Sequence, residues 1–324
     1  MPPVLTSRVP PNFHQHRLVD YLSARFTYRP RRQWRAWIEE GRLRVNGELL
    51  SPDTRINRND TVAFESPAID EPPADLRIRI VYQDEWLVGV DKPGNLLVHR
   101  AGRSFTSNLV YQLRFNSGDE SLKNASPVHR LDRETSGVVV VAKTTDAMKA
   151  LSHLWTVDGV RKEYMAIVHG ALPDSSMAID QPIGRDTTSA VDYKWRVDKA
   201  AGKPAQTRVE MIRRLGDGFS LVRAMPMTGR THQIRVHLAF VGCPVVGDKL
   251  YAVREEEYLR WRSDPDNVDL GLLLDRQALH CASMSFEHPM TKLPCRISAE
   301  LPEDMATLVA RLESGAAVST GSRG

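Results

Sequence analysis

The sequence contains only three cysteines and no long uninterrupted apolar run, and both absences exclude classes of protein. Cys243, Cys281 and Cys295 are too few and too scattered for a disulfide framework, and no CxxC pair indicates a zinc site. No stretch approaches the ~20 apolar residues of a membrane span, and the N-terminal MPPVLTSRVPPNF lacks the apolar run of a signal peptide. We therefore expect a cytoplasmic protein with free, buried thiols and no membrane contact.

Lysine is absent from residues 1–65, which carry eleven arginines against seven acidic residues. The remainder of the chain has 33 basic and 33 acidic residues, so the whole formal excess of +4 lies in this first fifth. Arginine suits bidentate contacts to phosphate, but a solvated basic face would have the same composition. Charge alone therefore leaves phosphate binding open as one of two interpretations.

Several catalytic signatures are also missing. The chain has no P-loop, no kinase G-x-G-x-x-G loop or DFG triplet, no GxSxG elbow and no HExxH pair. His232 and His237 lie five residues apart, which is off the i, i+4 spacing of a helical zinc pair. These absences argue against a kinase, a P-loop enzyme, a serine hydrolase and metal catalysis by a helical zinc pair.

Composition divides the chain into segments of different character. Two helical stretches, HRLVDYLSARF and RRQWRAWIEEG, precede the short strands LRVNGELL and TVAF, with Gly41 and the Asn46-Gly47 turn between them. A proline-rich, acidic segment without periodicity then predicts a linker. The predicted organisation is an N-terminal extension (1–13), a small α+β unit (14–65), a linker (66–76), a large domain (77–312) and a disordered tail (313–324).

Strand-like runs outnumber helical ones in the large domain. SGVVVVAK, KEYMAIVHGAL, FSLVRAMP and ALHCASMSFEHP are among the strand candidates, whereas TDAMKALSHLW, GRTHQIRVHLAFVG and PEDMATLVARLE are the helical ones. Dominant strands with irregularly interspersed helices favour a mixed, largely antiparallel α+β sheet with flanking helices over a doubly wound parallel one.

Two polar clusters could carry chemistry. PVHRLDRETSGVVVVAK (127–143) places Asp132 in a loop that opens into a buried strand, although a loop with turn-capping side chains is the alternative. MTGRTHQIRVHLAFVGCPVVGDKLY (227–251) would set Arg230, His232, Arg235 and His237 along one helix. A basic helix near a carboxylate is also the pattern of a structural ion-pair network, so the residues alone leave both interpretations open.

Five segments in order resemble the RluA-type pseudouridine synthases over residues 76–302. They are VYQDEWLVGVDKPGNLLVH, PVHRLDRETSGVVVVAK with the family's HRLDxxTSG, KEYMAIVHG, GRTHQIRVHLAFVGCPVVGDKLY and ALHCASMSFEHP. The resemblance implies a sheet of the pseudouridine synthase type and isomerisation of uridine in structured RNA. It also implies that no cofactor or metal takes part.

The N-terminal unit is similar to a small RNA-binding domain first known from a small-subunit ribosomal protein. The pattern R-L-x-x-Y-L, a basic helix and E-x-G-x-L-x-V-N-G is present, but Pro30 and two arginines stand where many such domains have a serine. The resemblance implies RNA contacts from the arginines of this unit. The residues expected to make them are Arg17, Arg31, Arg32 and Arg44.

The resemblance to the synthases also implies roles at the catalytic site. Asp132 would be the catalytic carboxylate, by covalent attack or by abstraction of a ribose proton, with Arg235 lowering its pKa. Tyr164 would stack on the uracil, and Leu238 would close the opposite face. Arg130 would fill the space of the extruded base.

Two further residues are expected on the substrate side. Lys92 would contact phosphate, and His129 would be a substrate-side residue or part of the loop architecture. The appended RNA-binding domain favours large-subunit ribosomal RNA as the partner of a monomeric enzyme, with transfer RNA as the alternative. A non-catalytic RNA-binding factor and an RNA hydrolase are the competing classes, and the intact Asp132, Tyr164 and Arg235 argue against the first.

Overall fold

The computed structural model describes residues 4–27, 29–65 and 71–314, which divide into two compact units. The first unit extends to Pro72 and includes Ala101–Thr106, and the second contains Pro73–Arg100 and the chain from Ser107 onward. The first division falls inside the segment expected as a linker. Residues 66–70 of that segment, and all but the first two residues of the expected tail, lie outside the described residues. No helix in the described part of the chain is both long enough and apolar enough to cross a membrane.

The first unit is a three-stranded antiparallel sheet with two helices. Its elements are β1 (Val4–Arg8), α1 (Leu18–Arg25), α2 (Arg31–Glu39), β2 (Leu43–Val45) and β3 (Thr61–Glu65), with a 3-10 turn at Pro11–Phe13 and strand order β1-β3-β2. Trp34, Trp37 and Ile38 are buried because their i, i+3, i+4 spacing places them on one face of α2. The expected N-terminal extension contributes β1, which pairs with all of β3 and so satisfies a strand edge that would otherwise be open.

The second unit contains the remaining strands and helices. They are β4 (Arg79–Gln83), β5 (Leu87–Lys92), α3 (Leu109–Tyr111, continued by a π-helical turn at Gln112–Asn116), a 3-10 turn (Glu120–Leu122), β6 (Ser126–Pro127), β7 (Ser136–Ala142), α4 (Thr145–Thr156), β8 (Val160–His169), β9 (Ser176–Asp180), β10 (Ile183–Arg185), β11 (Trp195–Val197), β12 (Gln206–Leu215), β13 (Phe219–Pro226), α5 (Gln233–Phe240), α6 (Glu255–Ser263), β14 (Leu279–Glu287), β15 (Pro294–Ser298) and α7 (Glu303–Glu313).

A ten-stranded sheet organises this unit. The strand order is β4-β5-β7-β14-β8-β13-β12-β9, with β15 paired to β14 and β6 to β7, while β10 and β11 form a separate pair. Every pairing in the large sheet is antiparallel except that of β7 with β14. The prediction of a mixed, largely antiparallel α+β sheet is therefore confirmed.

The valine run of β7 forms the centre of the hydrophobic core. Val138–Val141 have no exposed surface, because β7 is flanked by strands on both sides and covered on both faces. The polar loop before β7 is thus attached to a rigid strand. Gly137 is required at the junction, since its φ of +108° is unfavourable for other residues and a Cβ there would overlap the Cys281 carbonyl oxygen.

The helix expected over residues 229–242 is shorter than predicted. It begins at Gln233, after His232 in a left-handed conformation with φ +56°. Arg230 and His232 consequently lie in the loop before α5 rather than along the helix with Arg235. The helix packs on β11, β12 and β13 and is buried over most of its length, which brings its first turn to the loop that contains Asp132.

Candidate active site

Three segments of the second unit enclose a cavity of about 320 Å³. They are the loop from Val128 to Thr135, the start of β8 with Lys162 and Tyr164, and the stretch from Pro226 to Arg235, and Trp155 and Leu279 complete the lining. This volume lies near the lower end of the roughly 300–1,000 Å³ range of small-ligand sites. The cavity can therefore enclose a single small molecule or one unit of a polymer, but not an extended ligand.

The Asp132 carboxylate lies in this cavity and is held by Arg235. Arg235 Nη1 is 2.8 Å from Asp132 Oδ2, and 28% of the aspartate side chain remains exposed. Burial alone would raise the pKa of Asp132, but the charge and hydrogen bond of Arg235, together with His232 and Gln277, outweigh it and hold the pKa below its usual range. Asp132 is therefore ionised and accessible.

Arg235 is itself fixed by a second carboxylate. Its Nε and Nη2 are 2.7 and 2.9 Å from the two oxygens of Asp248, which is fully buried. Burial alone would lower the pKa of Arg235, but the Asp248 and Asp132 carboxylates together raise it. The guanidinium is thus permanently charged, and only Nη1 is directed at Asp132.

Tyr164 lies on β8 and lines the cavity with Asp132 and Arg235. Its side chain is 9% exposed, and burial together with the neighbouring Cys281 thiol raises the pKa of the phenol well above its usual range. The structure therefore brings together the three residues expected to be catalytic. The phenol is neutral and can act as an aromatic surface but not as a base.

His232 is a cavity residue to which the sequence interpretation gave no catalytic role. Its Nε2 is 3.9 Å from Asp132 Oδ2, and its Nδ1 is 2.8 Å from the hydroxyl of Tyr251. The Arg235 guanidinium also lies over the Tyr251 ring, with Cζ 5.0 Å from the ring centroid. In the sequence, only the GRTHQ and GDKLY motifs drew attention to His232 and Tyr251. The contact between them was not predictable, because it depends on the left-handed conformation of the residue before α5.

Arg130 and His129 occupy one side of the cavity, in different states. Arg130 is exposed, and within the described part of the chain its guanidinium has no hydrogen-bond or ion-pair partner. His129 stacks on Trp155 at a centroid distance of 5.0 Å, and its Nε2 accepts the backbone N–H of Val140 at 2.9 Å. Burial lowers the pKa of His129 to about 3. His129 therefore supports the loop, and that nitrogen is not available to a ligand.

Two expected substrate contacts are corrected by the structure. Lys92 is fully buried, and its Nζ donates to the carbonyls of Pro93, Leu96 and Arg133 at 2.8, 2.8 and 3.3 Å, so it cannot reach a phosphate. Leu238 is also fully buried, in the hydrophobic core, and does not line the cavity.

The residue that replaces Leu238 in the cavity is Ile234, one turn earlier on α5. Its position follows from the start of α5 at Gln233, because the first residue of a helix determines the direction in which each later side chain points. The cavity also lacks a metal-binding group: among the described residues, no three or more His, Cys, Asp or Glu side chains are arranged to hold a metal ion.

The arginines of the first unit fall into two groups. Arg17 is 3.1 Å from Asp53, and Arg31 is 2.8 Å from Asp20, with about half of each arginine side chain still exposed. Both are therefore partly neutralised.

Arg44 and Arg32 form the second group, which has no carboxylate partner in the part of the chain that the structure describes. Arg44 Nη1 donates to the Gly47 carbonyl at 3.3 Å. Arg32 is exposed on α2, and the described residues offer its side chain no hydrogen-bond or ion-pair partner. Their charges are thus available to an anionic partner.

Comparison with known proteins identifies the class that this fold and cavity define. Residues 87–240 match the RNA pseudouridylate synthase family, and residues 16–62 match the S4 domain. The solved structure of human RNA pseudouridylate synthase domain containing 4 superposes with a TM-score of 0.55 at 25% identity, over 72% of this chain and 92% of that chain.

Relatives that align over most of both chains identify the family of synthases to which the chain belongs. The chain is 34% identical to the RNA pseudouridine synthase YlyB of Bacillus subtilis, over 87% of this chain and 89% of the relative. It is 32% identical to ribosomal large subunit pseudouridine synthase D of Vibrio cholerae, over 96% of each chain. The chain belongs to the RluA family of RNA pseudouridine synthases, with an N-terminal S4 domain.

Proposed function

We propose that this pseudouridine synthase modifies uridine in large-subunit ribosomal RNA, with Asp132 as its catalytic carboxylate. The relatives from Vibrio cholerae and Pseudomonas aeruginosa are both named as ribosomal large subunit pseudouridine synthase D, and each aligns over more than nine-tenths of this chain. The S4 domain, in which Arg32 and Arg44 have no carboxylate partner among the described residues, supports an RNA substrate that extends beyond the cavity.

The single observation that carries the catalytic assignment is the contact between Asp132 and Arg235 inside the cavity. The reaction breaks the bond between ribose C1′ and uracil N1, turns the base and joins C5 to C1′. It needs an ionised carboxylate that acts on the ribose or the ring. Arg235 lowers the pKa of Asp132, so the carboxylate is charged at neutral pH without being closed to solvent.

Tyr164 and Arg130 take supporting roles in this proposal. The buried, neutral phenol ring of Tyr164 offers the freed uracil a flat surface on which it can turn. Extruding the base from its stack costs a few kcal/mol. The exposed guanidinium of Arg130 at the cavity rim can occupy the vacated position by stacking and hydrogen bonding.

Tritium release tests the choice of RNA. Unmodified transcripts of large-subunit ribosomal RNA and of a transfer RNA pool are prepared with tritium on uridine C5 and incubated separately with the enzyme. We expect release from the ribosomal transcript at a rate well above that from the transfer RNA pool. Release confined to transfer RNA would overturn the proposed substrate while leaving the class of enzyme unchanged.

A further inference from the structure

His232 lines the cavity, and among the described residues its Nε2 has no hydrogen-bond partner. It stands at the N-cap of α5 with φ +56°, a conformation that directs its ring toward Asp132. The distance of 3.9 Å between His232 Nε2 and Asp132 Oδ2 is too long for a hydrogen bond. A group placed beside Asp132 would therefore meet the Nε2 edge of this ring.

Tyr251 determines which nitrogen of His232 carries the hydrogen. Its hydroxyl accepts the backbone N–H of Trp195 at 3.1 Å and lies 2.8 Å from His232 Nδ1. Among the described residues the hydroxyl hydrogen has no other acceptor, so it is donated to Nδ1. The hydrogen of the neutral imidazole then lies on Nε2, the nitrogen that faces Asp132.

The ring is neutral at physiological pH. The pKa of His232 is lowered to about 4, mainly by burial and also by the nearby charges of Arg235 and Arg130. The carboxylates of Asp132 and Asp248 oppose this shift without overcoming it. His232 is therefore a hydrogen-bond donor that keeps its proton, rather than a general acid.

The reaction creates an acceptor at this place. When the bond from C1′ to N1 breaks, its electron pair stays on the uracil, and the negative charge is shared by N1, O2 and O4 until C5 bonds to C1′. C5 then loses its proton and N1 gains one. Asp132 acts at the ribose, either by bonding to C1′ or by accepting the 2′ proton. In both cases N1 and the adjacent O2 would come close to Asp132, and His232 Nε2 lies 3.9 Å from Asp132 Oδ2.

We propose that His232, held as the Nε2–H tautomer by Tyr251, donates a hydrogen bond to O2 of the target uracil as the glycosidic bond breaks. This inference rests on the proposed function, because it assumes that Asp132 acts on the same nucleotide. A fixed donor aimed at developing charge in an enclosed site accelerates the step that creates the charge. Tyr251 is then a positioning residue, which acts only through the imidazole.

The test uses single-turnover tritium release from the large-subunit ribosomal transcript, with RNA affinity measured in parallel. His232→Leu should lower the rate about 100- to 1,000-fold at saturating enzyme, with little change in affinity. His232→Gln should recover part of the rate, because its amide can place an N–H near the same position. His153→Leu, the same change at an exposed site on α4, should retain the wild-type rate.

Tyr251→Phe reports on the tautomer. Alone, this substitution should lower the single-turnover rate. Combined with His232→Leu, it should lower the rate little further, since the hydroxyl acts through the imidazole. Additive losses would overturn the positioning role of Tyr251.

The acceptor is tested by a transcript, assembled by ligation, with 2-thiouridine in place of the uridine at which sequencing finds that the wild-type enzyme acts. Sulfur is a weaker acceptor, so the ratio of the rates on the oxygen and sulfur substrates should be larger for wild type than for His232→Leu. Equal ratios, or an undiminished rate for folded His232→Leu, would overturn the inference. Absence of release from the ribosomal transcript by wild type would instead overturn the proposed substrate.

Discussion

The guanidinium of Arg235 forms a bidentate pair with the buried carboxylate of Asp248, with N···O distances of 2.7 and 2.9 Å. Asp248 also accepts the backbone N–H groups of Leu250 and Tyr251, at 3.0 and 3.2 Å. The turn after residue 247 thereby fixes the plane of the guanidinium. Its one remaining nitrogen, Nη1, is left to hold Asp132.

Removal of Asp248 should therefore destabilise the fold. Asp248→Ala leaves the buried charge of Arg235 without its bidentate partner, so the free energy of unfolding should fall by about 3–5 kcal/mol. Denaturant unfolding measures the change. Asp146→Ala, at an exposed position on α4, should cost less than about 1 kcal/mol, and an equally small loss for Asp248→Ala would contradict the account.

Replacement of Arg235 should move the pH dependence of turnover. In Arg235→Met, burial still raises the pKa of Asp132 but the strongest opposing interaction is gone, so the pKa should rise from its lowered value. Activity requires the ionised form, so the acid limb of the single-turnover rate should shift to higher pH. Arg235→Lys keeps the charge and should shift it less. An unchanged acid limb in Arg235→Met would separate Arg235 from the ionisation of Asp132.

Lys92 should contribute to folding rather than to RNA binding. Burial lowers its pKa from 10.5 to about 7, so between these values the unfolded chain binds more protons than the folded one. Stability should consequently rise with pH across this window, and Lys92→Met should lose that contribution.

The RNA affinity of folded Lys92→Met should equal that of wild type, because Nζ contacts only carbonyls of the protein. Thermal unfolding measured from pH 7 to 10.5 tests the first expectation, and filter binding tests the second. A large loss of affinity in a variant of normal stability would restore the phosphate contact expected from the sequence.

Arginines on α2 should carry part of the electrostatic affinity for RNA. Replacing Arg31, Arg32 and Arg35 by alanine should weaken binding and lower the slope of log affinity against log salt by about one unit for each phosphate that is no longer neutralised. Arg32→Ala alone should account for more of the decrease than Arg31→Ala, because Arg31 is paired with Asp20. An unchanged slope would remove the RNA role from this helix.

The control for this set is a triple alanine variant on β12. Arg208, Arg213 and Arg214 are all exposed, and their replacement removes the same charge from the second unit. The salt slope of this variant should stay near that of wild type. An equal decrease in both triple variants would mean that total charge, not the S4 domain, determines the slope.

Local pattern predicted much of the fold. The run SGVVVVAK is apolar without alternation, which identifies a strand buried on both faces, and β7 is that strand. The observed bounds of β13 are those of the predicted strand FSLVRAMP. The strand β1 was not predicted, because VLTSR is half exposed and its partner β3 lies more than fifty residues away.

The cavity was predictable only in part. The resemblance to the family pointed to Asp132, Tyr164 and Arg235, which the structure brings together. The chain of contacts from Trp195 through Tyr251 to His232 spans 56 residues of sequence and depends on one left-handed residue. Lys92 was misplaced because lysine is rarely buried, and the three carbonyls that satisfy it come from two separate segments.

The most direct test of the account is tritium release by Asp132→Asn, compared with Asp146→Asn as the same change at an exposed site. Asp132→Asn should remain folded, bind the RNA nearly as well as wild type and lose at least about 100-fold in the single-turnover rate, because an amide cannot act as nucleophile or base. Asp146→Asn should release tritium at the wild-type rate. Folded Asp132→Asn with a rate close to that of wild type would contradict the catalytic role of Asp132.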